Sequence, residues 1–334
     1  MVVALGTLAL GAVAHVHDNG TIEHASTTVR TGIIGSDARP RVVRPGAAPI
    51  ARVSWRVPGG EVVQHVFAVD TGVVIDTENA SPEAIAIGLQ EVTDTGTTLH
   101  TVRPPGDRRA DGTVVFPLPH RQTLRAVLSK RDVDPRSVAD AQRVLQGWER
   151  VLERGMRTEL SEPLQTQIDA ARVDALLAPP SGDAFATLEA WGFDAEAISM
   201  WSHLGFRGRR AARRATGTGL LADVRAELFR EGRGEIDVLP GFRPAWLGQH
   251  LAVHGIPLRD GRGGFALRWH GARPALLWEL PEGLTIRVPA LDPGFSSSAA
   301  QGEELLAAAS PVLLSMGASA RADGVAIDEP ESFS

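Results

Sequence analysis

Across the first 130 or so residues, turn signals recur roughly every 8 to 15 residues, and no long helical period interrupts them. Ile50–Val57 (IARVSWRV) runs into Pro58, Gly59 and Gly60, and a second apolar run, 61–69, follows. Residues 72–77 lead to a polar turn at 78–83, and strand character resumes over 84–92, 114–119 and 123–128. Short β runs punctuated by Gly, Pro and Asn predict antiparallel sheets stacked as a sandwich. The stretch 106–112 (GDRRADG) reads as an exposed loop.

The period then changes. Asp134, Pro135 and Ser137 form a helix-start signal with Ser137 as N-cap, and Val138, Ala141, Val144, Leu145, Trp148, Val151 and Leu152 follow at helical spacing. Further helices are predicted over 163–177, over 183–204 with Gly192 weakening the middle, and over 219–230. Near Gly232 and Gly234 the β period returns. Residues 265–280 (FALRWHGARPALLWEL) read as a hairpin whose apolar faces carry Trp269 and Trp278, with the turn at Gly271 to Pro274. A short helix is predicted near 301–309. The fold class is α+β: an antiparallel β-sandwich over 1–132, a helical segment over 133–232, a C-terminal β portion over 233–293, and an extended, partly disordered tail over 294–334.

Composition narrows the chemistry. Cysteine is absent, which excludes disulfides, thiolate catalysis and Cys-based metal sites. A formal charge of −6 argues against nucleic acid as the partner, although of 34 Lys and Arg residues only Lys130 is Lys. No GxGxxG, P-loop, GxSxG or HExxH pattern is present, so no cofactor is expected. The apolar N-terminal run is too short to span a bilayer and has no basic residue before it. It reads as a strand with Leu8, Leu10, Ala12 and Ala14 on one face, turning at Asp18, Asn19 and Gly20. No other stretch is long and apolar enough to cross a membrane, so a cytoplasmic protein without a membrane partner is expected.

Four phrases together carry a resemblance: residues 74–87 (VIDTENASPEAIAI), 116–125 (FPLPHRQTLR), 155–173 (GMRTELSEPLQTQIDAARV) and 268–279. They resemble actinobacterial proteins related to six-hairpin, glucoamylase-like glycosidases. The resemblance implies a super-sandwich-like N-terminal domain and a connecting helix ahead of an (α/α)6 barrel. A barrel of twelve helices needs on the order of 300 residues, and the helical stretch here is far shorter. No catalytic residue of the family maps onto a numbered position. The resemblance therefore implies a non-catalytic carbohydrate-binding or assembly protein, with a carbohydrate or a protein partner. The alternative is a glycoside hydrolase with paired carboxylates at the β/helical junction.

Candidate residues follow from chemistry. Glu78 and Glu83 bracket a loop, and Glu189, Asp194 and Glu196 lie around the third helix, but polar turns and solvated helix faces account for them as well. His15, His17 and His24 flank the first hairpin without a supporting carboxylate at fixed spacing, so no metal is expected. Arg207, Arg209, Arg210, Arg213 and Arg214 read as a solvated face or a clamp on acidic residues, with contact to phosphates, nucleic acid or an acidic polysaccharide as the alternative. Sugar recognition pairs flat rings with charged side chains. That points to Trp246, Arg268, His270, Arg273 and Glu279 as the ligand-binding set, with Trp269 and Trp278 themselves in the core.

Overall fold

The computed structural model describes residues 2–8, 11–93 (backbone alone at 92 and 93), 97–102, 106–217 and 219–308. The tail expected to be disordered falls, from 309 onward, outside the described residues. The chain divides into two compact units, Met1–Leu152 with Arg172–Pro179, and Glu153–Ala171 with Pro180–Ser334.

The first unit contains β1 (Val2–Thr7), β2 (Gly11–His17), β3 (Ile22–His24), β4 (Thr27–Ile33), β5 (Arg41–Val43) and β6 (Ile50–Val57). It continues with β7 (Gly60–Val69), β8 (Gly72–Asn79), β9 (Ile85–Thr93), β10 (Thr98–Thr101), β11 (Val114–Leu118), β12 (Thr123–Ser129) and α1 (Ala141–Leu152). One sheet has the order β1-β2-β3-β4-β9-β11 and the other β10-β12-β8-β7-β6-β5. All neighbours are antiparallel. The sheets enclose one apolar core in which Leu5, Ile22, Trp55, Ile75, Ile87, Leu89, Phe116 and Leu118 are almost wholly buried. The predicted sandwich is thus the observed one.

The N-terminal run and the first helix differ from the sequence reading. The apolar N-terminal run is two strands rather than one, because Gly11 takes a positive φ of 68° and turns the chain between them. Its inward face is Val3, Leu5, Ala14 and Val16, while Ala12 is exposed. The first helix also starts later than predicted. Ser137 donates its hydroxyl to the Asp134 carbonyl at 2.8 Å, and Asp140 caps α1 instead, its Oδ1 accepting from the Arg143 N–H at 2.8 Å. An Asp at that position satisfies a first-turn donor as well as a Ser would.

The second unit holds β13 (Arg157–Glu159), α3 (Gly182–Ala190), α4 (Asp194–His203), α5 (Phe206–Ala212) and α6 (Leu220–Leu228). Between β13 and α3 runs α2 (Leu164–Leu177), whose residues are divided between the two units. The predicted third helix is two, because Gly192 adopts φ 72° and Trp191 ends α3. Then come β14 (Phe229–Glu231), β15 (Glu235–Val238), a 3-10 turn at Pro244–Trp246, β16 (Leu251–Leu258), β17 (Gly261–His270), β18 (Arg273–Glu279), β19 (Thr285–Val288), β20 (Asp292–Ser297) and β21 (Gln301–Leu305). They form sheets β13-β16-β17-β18-β21 and β14-β15-β19-β20, the latter containing a parallel pair, β15 with β19.

The Trp hairpin is β17–β18, with Phe265 opposite Trp278 and Trp269 opposite Pro274. Trp278 is buried, donates its indole N–H to the Ala299 carbonyl at 2.9 Å and meets Phe295 edge-on. Trp269 is only half-buried. Residues 301–305, predicted helical, pair as β21 with β18. Gly302 permits this, since a Cβ there would come within 2.5 Å of the Trp278 ring. The two Trp residues should therefore differ: Trp278→Ala should cost about 3–5 kcal/mol and Trp269→Ala about 1–2 kcal/mol. Urea unfolding measures both, and equal losses would contradict the burial difference.

Candidate functional site

The outward face of sheet β10-β12-β8-β7-β6-β5 changes character along its strands. Ile50, Phe67, Val74 and Val127 lie side by side across β6, β7, β8 and β12, and all four are buried. These residues alternate with those that fill the sandwich core, so something on the outer face covers them. Helix α1, with Trp148 and Leu152 buried, packs against β7 there. Two residues further along, the row becomes Arg52, His65, Asp76 and Arg125, and the next is Ser54, Val63, Glu78 and Thr123.

Where the charged rows meet the start of α1, a cleft of about 440 Å³ opens. His65, Asp76, Glu78, Thr123 and Arg125 form its floor, and Val102, Arg136 and the helix start at Asp140, Ala141 and Gln142 form its wall. Arg125 grips Asp76 with both ends of its guanidinium, Nε and Nη2 each donating at 2.7 Å. A planar fork on a carboxylate is the strongest arrangement of this pair. The third guanidinium nitrogen of Arg125 donates to the Val138 carbonyl at 3.4 Å, and Arg136 donates to the Val102 carbonyl at 3.5 Å. These contacts tie the segment before α1 to the sheet beside the cleft.

The lining sets three carboxylates, Asp76, Glu78 and Asp140, against two guanidinium groups, Arg125 and Arg136. The hydrogen bond to Asp76 raises the Arg125 pKa, which keeps that cation charged. Burial pushes the His65 imidazole below its ordinary value, and the Arg52 charge adds to this against the opposing pull of Asp76 and Glu78. At neutral pH His65 is therefore uncharged, one ring nitrogen donating and the other accepting. Glu78 is exposed on the floor. The cleft thus offers a neutral donor–acceptor, a free carboxylate, a hydroxyl and two guanidinium groups, a set suited to hydroxyl-rich or carboxyl-bearing ligands.

The ligand-binding set expected from the sequence does not converge on one spot. Trp246 is 2% exposed, lies edge-on to Phe242 at 6.0 Å and is capped by Arg243 at 5.6 Å, so its ring is interior. Arg268, His270, Arg273 and Glu279 are exposed on one face of β17–β18. Glu279, however, pairs with Gly264 and Arg273 with His270, which sets them six residues apart, about 20 Å along the strands. Arg273 is also occupied, donating to the Leu305 and Leu306 carbonyls at 3.0 Å.

The other candidates are accounted for locally. Glu83 contributes only its carbonyl, which accepts from the buried Asn79 amide at 2.7 Å and from the Ser81 hydroxyl at 3.0 Å. Asp194 pairs with Arg262 and Glu196 with Arg154, while Glu189 is an exposed helix residue. Glu23, not His24, stands opposite His15, and His24 instead contacts the Val13 carbonyl from the other face. No cluster of metal-ligating side chains occurs among the described residues. Arg209 and Arg213 stack on Trp201 rather than clamping carboxylates.

Sequence reasoning missed the cleft. Its signal was present: Asp76 with Glu78, and Thr123 with Arg125, put charged or polar side chains at alternate positions of their strands. No helix among the described residues is long and apolar enough to cross a membrane. No protein-family model and no curated protein matches the sequence.

The lowered His65 pKa has a consequence for stability. The imidazole binds a proton less readily in the folded chain than in the unfolded one. Its contribution is therefore intact above the unfolded value near 6.5 and is lost as pH falls through the lower folded value. Urea midpoints measured from pH 7 down to pH 5 should fall less steeply for His65→Gln than for the parent chain. Identical slopes would show that folding leaves the proton affinity of His65 unchanged.

Proposed function

We propose that this chain is a non-catalytic carbohydrate-binding module, related to the accessory regions of six-hairpin glycosidases, and that the sugar occupies the cleft at the start of α1. One observation carries the reading: hydrogen-bonding groups of fixed geometry converge there, where the outer sheet face passes from apolar to charged. Sugar hydroxyls are satisfied by such mixed donors and acceptors. Asp76 has both oxygens engaged by Arg125, which leaves it a positioning role rather than a chemical one. The same reading takes the protein to act in the cytoplasm.

A second reading, glycoside hydrolysis, is favoured by a single feature: Glu78 and Asp140 line one cleft from opposite sides of the β/helical junction. Against it, Asp140 Oδ1 already caps α1.

Titration calorimetry of the full chain against neutral and uronic-acid oligosaccharides tests the first reading. Binding should weaken five- to thirty-fold in Glu78→Gln, the loss of about 1–2 kcal/mol expected when a charged hydrogen bond becomes a neutral one. Absence of heat with every glycan removes the carbohydrate reading. Release of aryl alcohol from aryl-glycosides, abolished in Glu78→Gln, would replace it with the second.

A further inference from the structure

Large apolar side chains at high exposure are few among the described residues, and two of them sit beside the arginine cluster: Ile198 in α4 at 72% and Phe206 at the start of α5 at 84%. Helical spacing places Phe206, Arg209, Arg210 and the C-cap Arg213 along one stripe of α5, with Arg207 on its flank and Arg214 just past the helix end. All five arginines are exposed. Arg209 and Arg213 lie over the half-buried Trp201 ring at 5.6 and 6.0 Å from its centre, which joins α5 to the turn of α4 that carries Ile198. Arg207, Arg210 and Arg214 make no ion pair within the described residues.

Two exposed apolar side chains, an interfacial Trp and unpaired cations make up one surface. We infer that this α4–α5 surface docks peripherally on an anionic lipid bilayer. Phe206 and Ile198 enter the boundary between headgroups and acyl chains, while the arginines remain at the level of the lipid phosphates. This contact lies on the surface and needs no spanning helix. Nucleic acid fits less well, because Ile198 has no counterpart on a phosphate backbone and the Trp201 ring is already taken by guanidinium groups rather than free to stack on bases. The contact is independent of the sugar cleft, since it draws on other residues in the other unit.

The test is sedimentation of the full chain with phosphatidylcholine vesicles, with and without phosphatidylglycerol, at low and high salt. Binding should require phosphatidylglycerol and weaken at high salt. Each of Arg207→Gln, Arg210→Gln and Arg214→Gln should lower the partition coefficient about fivefold. Phe206→Ser should lower it further without changing the salt dependence. All four side chains are exposed, so circular dichroism and thermal melting should match the parent. No binding to the anionic vesicles, equal binding to both compositions, or unchanged binding when Arg207→Gln, Arg210→Gln and Arg214→Gln are combined would each overturn the inference.

Discussion

The pairing register of β7, β8 and β12 sets the rest of the first unit. It aligns His65 with Asp76 and Asp76 with Arg125, and in the same step places Val66, Ile75 and Ala126 in the sandwich core. A slip of one residue would turn Asp76 and Arg125 inward and Ile75 and Ala126 outward. The cost would be an ion pair taken out of water and core lost to it. The cleft is therefore not an addition to the fold. It is the outer half of the alternation that builds the core.

Polar groups inside the sandwich reinforce this register. Gln64 and Thr77 are buried between the sheets, and Gln64 accepts from Thr31 at 3.3 Å while donating to Thr77 at 3.0 Å. Thr31 belongs to the facing sheet, so the amide links the two layers across an apolar interior. Asn79, wholly buried, performs a similar task at the end of β8. It donates to the Leu118 carbonyl at 2.9 Å and accepts from the Ser81 backbone at 3.0 Å. An unpaired amide in such places costs roughly 1–3 kcal/mol. Alternative registers that strand these groups are disfavoured even where their apolar count is equal. Glu78, held between Thr77 and Asn79, inherits a fixed outward direction from neighbours that cannot turn.

How much of this was legible in the chain depends on range. Strand β6 was readable from end to end, because Pro58 and Gly59 close it and its alternation is strong. The β17–β18 hairpin was equally plain, since its pairing partners are close in sequence. The start of α1 was not, because Ser137 and Asp140 are both competent caps, and only the packing of the segment against Val102 and Arg125 decides between them. Residues 301–305 carry helix-forming side chains, yet β18 offers them an open edge and Gly302 lets them approach Trp278, so tertiary pairing overrides local preference. The cleft escaped for the same reason. Asp76 and Arg125 are 49 positions apart and meet only through the sheet. The hairpin residues are near Trp along the chain, and the strand rise separates them in space.

Arginine shows why composition could not settle the chemistry. In Arg125 and Arg287 the guanidinium is held by carboxylates of neighbouring strands, and there it fixes sheet geometry. Arg209 and Arg213 spend theirs on an indole face, where the cation is kept near the surface without losing its charge. Arg207, Arg210 and Arg214 have neither kind of partner among the described residues. Helix α5 is short and gives these side chains little packing of their own, so the cluster does not stabilise the unit as the paired arginines do. Like charges gathered on one exposed turn repel one another, and that cost is relieved when an anionic surface supplies the missing countercharge.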